Sequence, residues 1–292
     1  MRYRSPGYTV FMIGNYTFLI ALGILCLLPI MHMFAVSFSS RAAATANIVN
    51  FWPVGWTSEA YTTTLGNAAF LQSLWIAVQR TVFGTAVSML LVTMGAYSLS
   101  RSNEKFPGRT VYTWYFVFTM LFSGGLVPTY FLVSQLNLMD TLWVLILPSA
   151  VNVWNMILML NFFRSLPREL EDAALIDGAG HFTVLWRIYF PISMPGIATL
   201  SLFAMVFHWN SWFDGVIYMH NKDNYPLASF LHAMVVSNNL TQIGMSAQDV
   251  ANISNRTVKA AQLFIGSLPI LLIYPFLQKY FVKGIILGSV KE

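Results

Sequence analysis

The chain alternates between long apolar runs and short polar segments, and inside the runs polar and apolar positions hardly mix. A surface helix shows polar residues at a period near 3.6, and a half-buried strand shows them at a period of 2. These runs show neither, so they have no wet face. Six stretches, about 11–36, 70–99, 110–134, 141–163, 192–213 and 260–282, reach the roughly 20 mainly apolar residues that a helix needs to cross a bilayer. Pro29, Gly84, Pro148 and Pro269 lie within them, where neighbouring helices can satisfy the backbone groups such residues free. The first run follows a basic start, lacks an A-x-A-like cleavage site and is too long for the apolar core of a signal peptide. It is expected to stay as a membrane helix. The pattern predicts an all-α membrane protein, a single domain over 1–292 with six transmembrane helices and no soluble module.

Composition agrees with the pattern. Hydrophobic residues make up 57% of the chain and charged residues 9%, with mean hydropathy +0.62. A soluble domain carries about 25% charged residues, so this chain has too few to cover its own surface. The net charge of +5 raises nucleic acid as a partner, and the placement of the charges removes it. With the N-terminus in the cytoplasm, eleven basic residues fall inside: Arg2, Arg4, Arg101, Lys105, Arg109, Arg164, Arg168, Arg187, Lys279, Lys283 and Lys291. Four fall outside, Arg41, Lys222, Arg256 and Lys259, and Arg80 lies within a span. Such a bias is the signature of membrane topology. It predicts N- and C-termini in the cytoplasm and two sizeable outside segments, about 37–69 and 214–259.

Several chemistries are not expected. Cys26 is the single cysteine, so there is no disulfide framework. His32, His181, His220 and His232 are scattered without a second ligand at metal spacing. No G-x-x-x-x-G-K-[ST] loop and no Ser/His/Asp arrangement appears. The chain is not expected to hydrolyse ATP or to act as an enzyme by itself.

One inside segment stands apart from its apolar flanks, "ELEDAALIDGAGHFTVLWRIYFP" at 169–191. Pro167 suits a helix start, where its missing N–H costs nothing. Glu169, Glu171 and Asp172 follow in the first turns, where the helix dipole favours anions. Ala173, Ala174 and Gly178 then offer a smooth surface of small residues, and Gly178 and Gly180 end the helix. The residues describe a short helix across the cytoplasmic mouth, with carboxylates free to pair with a partner. The plainer alternative is a solvated re-entry loop.

Asp172-Ala173-Ala174, three residues, Gly178, nine residues, and Ile188 through Pro191 resembles the loop E-A-A-x3-G-x9-I-x-L-P of binding-protein-dependent ABC importer permeases. Asp172 stands for Glu and Phe190 for Leu, so charge and apolarity are kept. "FSGGLVPTYFLV", "NFFRSLPREL", "HWNSWFDGVIY" and "KGIILGSVKE" extend the resemblance to carbohydrate-uptake permeases along nearly the whole length. Within these it is similar to the branch handling aldouronates, other uronate oligosaccharides and alginate, and to the shorter of the paired permease subunits. The resemblance implies a type I ABC importer permease fold in the bacterial inner membrane. It implies a related second permease, two ATP-binding subunits that hold ATP and Mg, and an extracytoplasmic solute-binding protein. It assigns Glu169, Glu171, Asp172, Ala173, Ala174, Asp177, Gly178, Ile188 and Pro191 to a coupling loop over about 164–191 that docks on an ATPase subunit.

For the solute path, sugar rings need aromatic faces and sugar hydroxyls need amides. Trp209, Asn210 and Trp212 in "HWNSWFDG" supply both, although the same residues would serve an interfacial aromatic belt. Asn152 and Asn155 are further polar candidates within an apolar run. Arg80 is the costliest residue in the spans, and three readings stand open for it: facing the path, snorkelling, or pairing with a partner's carboxylate. Asp214 would repel a uronate and is expected to be structural or gating. An importer of neutral oligosaccharides is the alternative. An ion-coupled transporter would need intramembrane carboxylates, which the spans do not show, and a membrane enzyme would need clustered His and carboxylates.

Overall fold

The computed structural model describes residues 6–167, 169–236 and 256–289, with side chains up to 276. The elements named below are helical throughout, and the chain divides into two compact units, 1–70 with 234–268, and 71–233 with 269–292. Each unit is described by itself.

In the first unit, α1 (Pro6–Ser37) is apolar all round and almost wholly exposed until its last turn, where Ala35, Val36 and Ser37 are buried. A helix without a wet face needs lipid or protein around it. Its end is pinned by side-chain bonds: Ser39 Oγ donates to Ala35 O at 2.7 Å, and Ser37 Oγ lies 2.8 Å from Tyr61 Oη. α2 (Arg41–Thr45) and α3 (Glu59–Gly66) follow, with Phe38 stacked on Trp56 at 4.7 Å. Ala35, Val36, Ala43, Ala44, Val49 and Ala260 form the unit's small core.

The second unit is organised by α4 (Ala68–Ser100), most of which lies within it. Met89, Val92, Ala96 and Leu99 recur every three or four residues, so they share one face. That face packs on Met156, Met159, Leu160 and Phe163 of α7 (Val153–Arg164) and on Ile197 and Leu200 of α11 (Met194–Asn210). Trp75, Val82 and Phe83 point outward.

Only three of the six expected spans are single long helices: α1, α4 and the final helix, α14 (Arg256–Ser289). The other three are broken, and each break has a cause in the sequence. The stretch expected at 110–134 is α5 (Arg109–Leu121) and α6 (Leu126–Gln135), set at 112°. Between them Gly125 adopts φ +86°, which suits a residue without Cβ. The stretch at 141–163 is two 3₁₀ turns, Leu142–Leu145 and Leu147–Ser149, bent 53° from α7, with Pro148 in the second turn just before the break. The third differs most. Helix resumes at α9 (His181–Val184), runs through a π turn (Leu185–Tyr189) and α10 (Phe190–Ile192), and meets α11 at 84°. The second half of the expected coupling loop is therefore helix, with Val184, Leu185 and Tyr189 in the core. Pro195, in the first turn of α11, fixes where the new helix begins.

α8 (Glu169–Ile176) precedes α9, while α12 (Phe213–Tyr218) and α13 (Leu227–Val236) follow α11. Beyond α12, Asp140 Oδ1 accepts the backbone N–H groups of His220 at 2.7 Å and Asn221 at 2.9 Å. The bond from Asn221 is the main reason the Asp140 carboxyl titrates below its ordinary range.

Candidate functional site

α8 is held by its own chain on one side and bare on the other. Glu171, expected to face a partner, is 4% exposed and ion-paired with Arg101 at the end of α4. Its Oε2 also accepts Tyr189 Oη at 3.1 Å. A buried carboxylate needs a cation and donors to offset its lost hydration, and both come from within this unit. The Arg101 guanidinium lies 3.8 Å above the Tyr97 ring and 5.0 Å from that of Tyr189, a cation–π cage. Lys105 Nζ reaches Asp172 Oδ1 at 3.0 Å and Glu171 Oε1 at 3.5 Å. The hydrogen bond to Asp172 raises the Lys105 pKa above its ordinary value.

The far end of α8 is closed by a Schellman motif. Gly178 has φ +81°, its N–H donates to Leu175 O at 3.1 Å, and the Ala179 N–H donates to Ala174 O at 2.9 Å. Ala174 and Ala179 both pack against the core. The outward face carries Glu169, Asp172, Ala173, Asp177 and Ile176, the last 86% exposed, with Phe182 exposed just beyond. Ile188 is half-buried and Pro191 exposed. α8 is an acidic, small-residue ridge with an apolar tip, fixed from behind by an ion-paired, aromatic bed.

The π turn between α9 and α10 contributes to that bed. π turns occur mostly as single turns inside helices, often at working sites. This one ends at Tyr189, whose ring makes edge contacts with Tyr97 at 5.2 Å and Phe163 at 5.4 Å.

A second polar cluster lies along α4. Arg80 is 0% exposed, and its guanidinium forks onto both carboxylate oxygens of Asp214 while Nη1 donates to Ser211 O at 2.9 Å. Two parallel bonds of this kind fix geometry as well as charge. One turn on, Gly84 lets the His208 ring lie against the helix: a Cβ there would stand 2.7 Å from the ring atoms. Ser88, another turn on, lies 3.5 Å from His208 Nε2. Arg80, Gly84 and Ser88 thus make one stripe that receives the end of α11 and the start of α12.

Against this geometry the comparisons are specific. The family described as "Binding-protein-dependent transport system inner membrane component" matches residues 3–287. The chain belongs to that family. It is the membrane permease component of an ABC transporter, whose ATP hydrolysis resides in separate subunits. Among curated relatives it is 39% identical over 289 residues to Protein LplC of Bacillus subtilis, covering 99% of this chain and 97% of that one. It is 38% identical over 277 residues to the Polygalacturonan/rhamnogalacturonan transport system permease protein YtcP of the same organism, covering 94% and 96%. Its fold matches one chain in the crystal structure of a bacterial ABC transporter involved in the import of the acidic polysaccharide alginate. The TM-score is 0.86 at 30% identity, covering 96% of this chain and 100% of that one.

In this transport-system component the sequence-predicted residues divide clearly. Those of the loop gather on and behind α8, with Glu171 as the correction: it is turned inward because Arg101 and Lys105 outcompete solvent for it. Of the three readings left open for Arg80, none is the observed one, since its carboxylate comes from Asp214 of the same chain. Trp209 is buried. Asn210 is exposed and donates to Val206 O at 3.0 Å, and Trp212 stacks on His232 at 3.7 Å. Asn152 and Asn155 belong to α7, where the Asn152 side chain caps the helix by accepting the Asn155 N–H at 3.0 Å. Asn155 itself is buried. Sequence reasoning did not link Arg101 and Tyr97 to the loop, nor Tyr189 within it to Glu171, because helix periodicity says nothing about which separate segments meet.

Proposed function

We propose that this permease carries a carbohydrate across the bacterial cytoplasmic membrane and couples to an ATP-hydrolysing subunit through the bare face of α8. The observation carrying the reading is the division of α8 itself. Glu171 ties the helix to α4 and to the turn before α11, leaving Glu169, Ala173, Ile176 and Asp177 for a partner, beside Asp172, which is exposed but holds Lys105. A push on the bare face reaches the span ends without bending a loop. In this reading the termini and α8 are cytoplasmic and a second, related permease completes the path. ATP and Mg are held by two partner subunits, and a solute-binding protein delivers cargo from outside. Binding of ATP to the partners favours one orientation of the path, and hydrolysis with release returns the other.

The cargo proposed is an acidic glycan. Support comes from relatives whose names or descriptions refer to polygalacturonan and alginate. A neutral oligosaccharide is the second reading, and one observation favours it: the charge of Arg80 is already matched by Asp214, so Arg80 supplies no free cation for a polyanion. ATP hydrolysis by the reconstituted importer with its binding protein separates the two. Stimulation by oligo-uronates alone supports the acidic cargo, and stimulation by neutral oligosaccharides sinks it. A complex whose ATPase ignores Ile176→Asp sinks the coupling role of α8.

A further inference from the structure

Four basic side chains converge on one small pocket at the end of α4. The pocket, about 160 Å³, is lined by Arg101, Lys105, Arg109, Arg164, Glu171 and Tyr189 among others. Arg101 and Lys105 are ion-paired with Glu171 and Asp172. Arg109 and Arg164 are not. Arg109 Nη1 donates to Arg101 O at 2.8 Å and Arg164 Nη2 to Leu99 O at 3.3 Å, and among the described residues neither has a carboxylate at ion-pair distance. Cations near the last carbonyls of α4 gain from the helix dipole, but each arginine gives only one such bond. Arg101 is 7% exposed, and its Nε and Nη2, with Nε of Arg109, are buried donors without a partner. Buried donors are nearly always satisfied. Guanidinium groups that share one pocket repel, and an anion between them relieves that repulsion.

We propose that this pocket binds a phosphate-class oxyanion, held by the guanidinium groups of Arg109 and Arg164 in front of Arg101. Arginine forks match tetrahedral oxyanions with paired N–H donors. The pocket lies where three apolar elements end or begin: α4 ends at Ser100, α5 begins at Arg109 and α7 ends at Arg164. At such a level a phospholipid headgroup and free cytosolic phosphate offer the same chemistry. Because the site touches Glu171 and Lys105, an occupant would sit against the bed of α8.

The test uses the assembled importer. It is placed in phosphatidylcholine vesicles with and without phosphatidylglycerol, and separately dialysed against radiolabelled inorganic phosphate. Phosphatidylglycerol retained through purification and phosphate bound at equilibrium are counted per complex. Arg109→Gln and Arg164→Gln are each expected to weaken retention about tenfold, as loss of a charge-assisted fork does. Lys222→Gln, the same charge loss elsewhere, is expected to leave retention unchanged. Loss confined to phosphatidylglycerol assigns the site to a headgroup, and loss of bound phosphate assigns it to the free ion. Should a glutamine variant fail to assemble, Arg109→Lys and Arg164→Lys decide, since they keep the charge, lose the fork and are expected to fall between. Wild type that retains neither probe, or variants that retain both as wild type does, overturns the site. The readout is binding, so failure here leaves the transport reading untouched.

Discussion

Arg80 and Arg101 are two answers to one problem, a buried guanidinium on one long helix, Arg80 inside α4 and Arg101 just past its last residue. They stand twenty-one positions apart, about 30 Å at the rise of an α-helix, roughly one hydrocarbon thickness. Arg80 is clamped by one carboxylate that is itself 25% exposed, on the short helix just after α11. Arg101 sits between two tyrosine rings and is paired with a buried carboxylate that Lys105 also approaches. The first is a simple latch between two elements. The second is a junction where α4, α7, α8 and the π turn meet around shared charge. A latch opens when one pair separates, whereas a junction moves as a body, which is what the proposed coupling role of α8 requires.

The sharpest test of that contrast removes one partner at each site. Glu171→Ala leaves Arg101 buried without its anion and is expected to cost about 3–5 kcal/mol, read as loss of assembled complex and a lower Tm. Arg101→Met combined with Glu171→Leu should recover most of it, because the uncompensated charge is gone. Recovery of stability without recovery of ATPase stimulation would mean the junction serves coupling and not folding alone. At Arg80, Asp214→Ala is expected to cost less, about 2–3 kcal/mol, because solvent already reaches part of that pair. Equal losses at the two sites would break the comparison.

Smaller effects sharpen it. Gly178→Ala forces a Cβ into the left-handed region and should cost about 1–2 kcal/mol, loosening the far end of α8 while leaving the Arg101 junction intact. Lys105→Met should cost under about 1 kcal/mol, since Lys105 is 45% exposed and solvent screens its pairs. Its pKa is raised in the folded state, so its contribution is fully present below the ordinary lysine value of 10.5 and is lost as pH rises through the folded value. The stability difference between wild type and Lys105→Met is therefore expected to stay flat through neutral pH and vanish only on the alkaline side.

Much of this was readable before any fold was known. Asp172-Ala173-Ala174 with Gly178 marked a short capped helix, and Gly178 does occupy the left-handed cap. What could not be read was orientation. Carboxylates one position apart on a helix point in different directions, so Asp172 faces out while Glu171 faces Arg101, seventy positions earlier. Arg80 was legible as a buried cost but not as a settled one, because its partner Asp214 lies 134 positions away.

The sequence by itself determined that this chain belongs in a bilayer, where its apolar runs fall, and which segment breaks the pattern. Those properties depend on residues close together along the chain, through hydropathy, helix period and capping chemistry. Tertiary structure decided that three of the six runs bend and that one half of the expected loop is core helix. It also decided that Arg80 and Arg101 are matched within their own chain and that Arg109 and Arg164, which face a common pocket, have no carboxylate at ion-pair distance among the described residues. The reason is physical: an apolar run satisfies lipid in any orientation, but a charge is satisfied only by the particular atoms that the fold brings within reach.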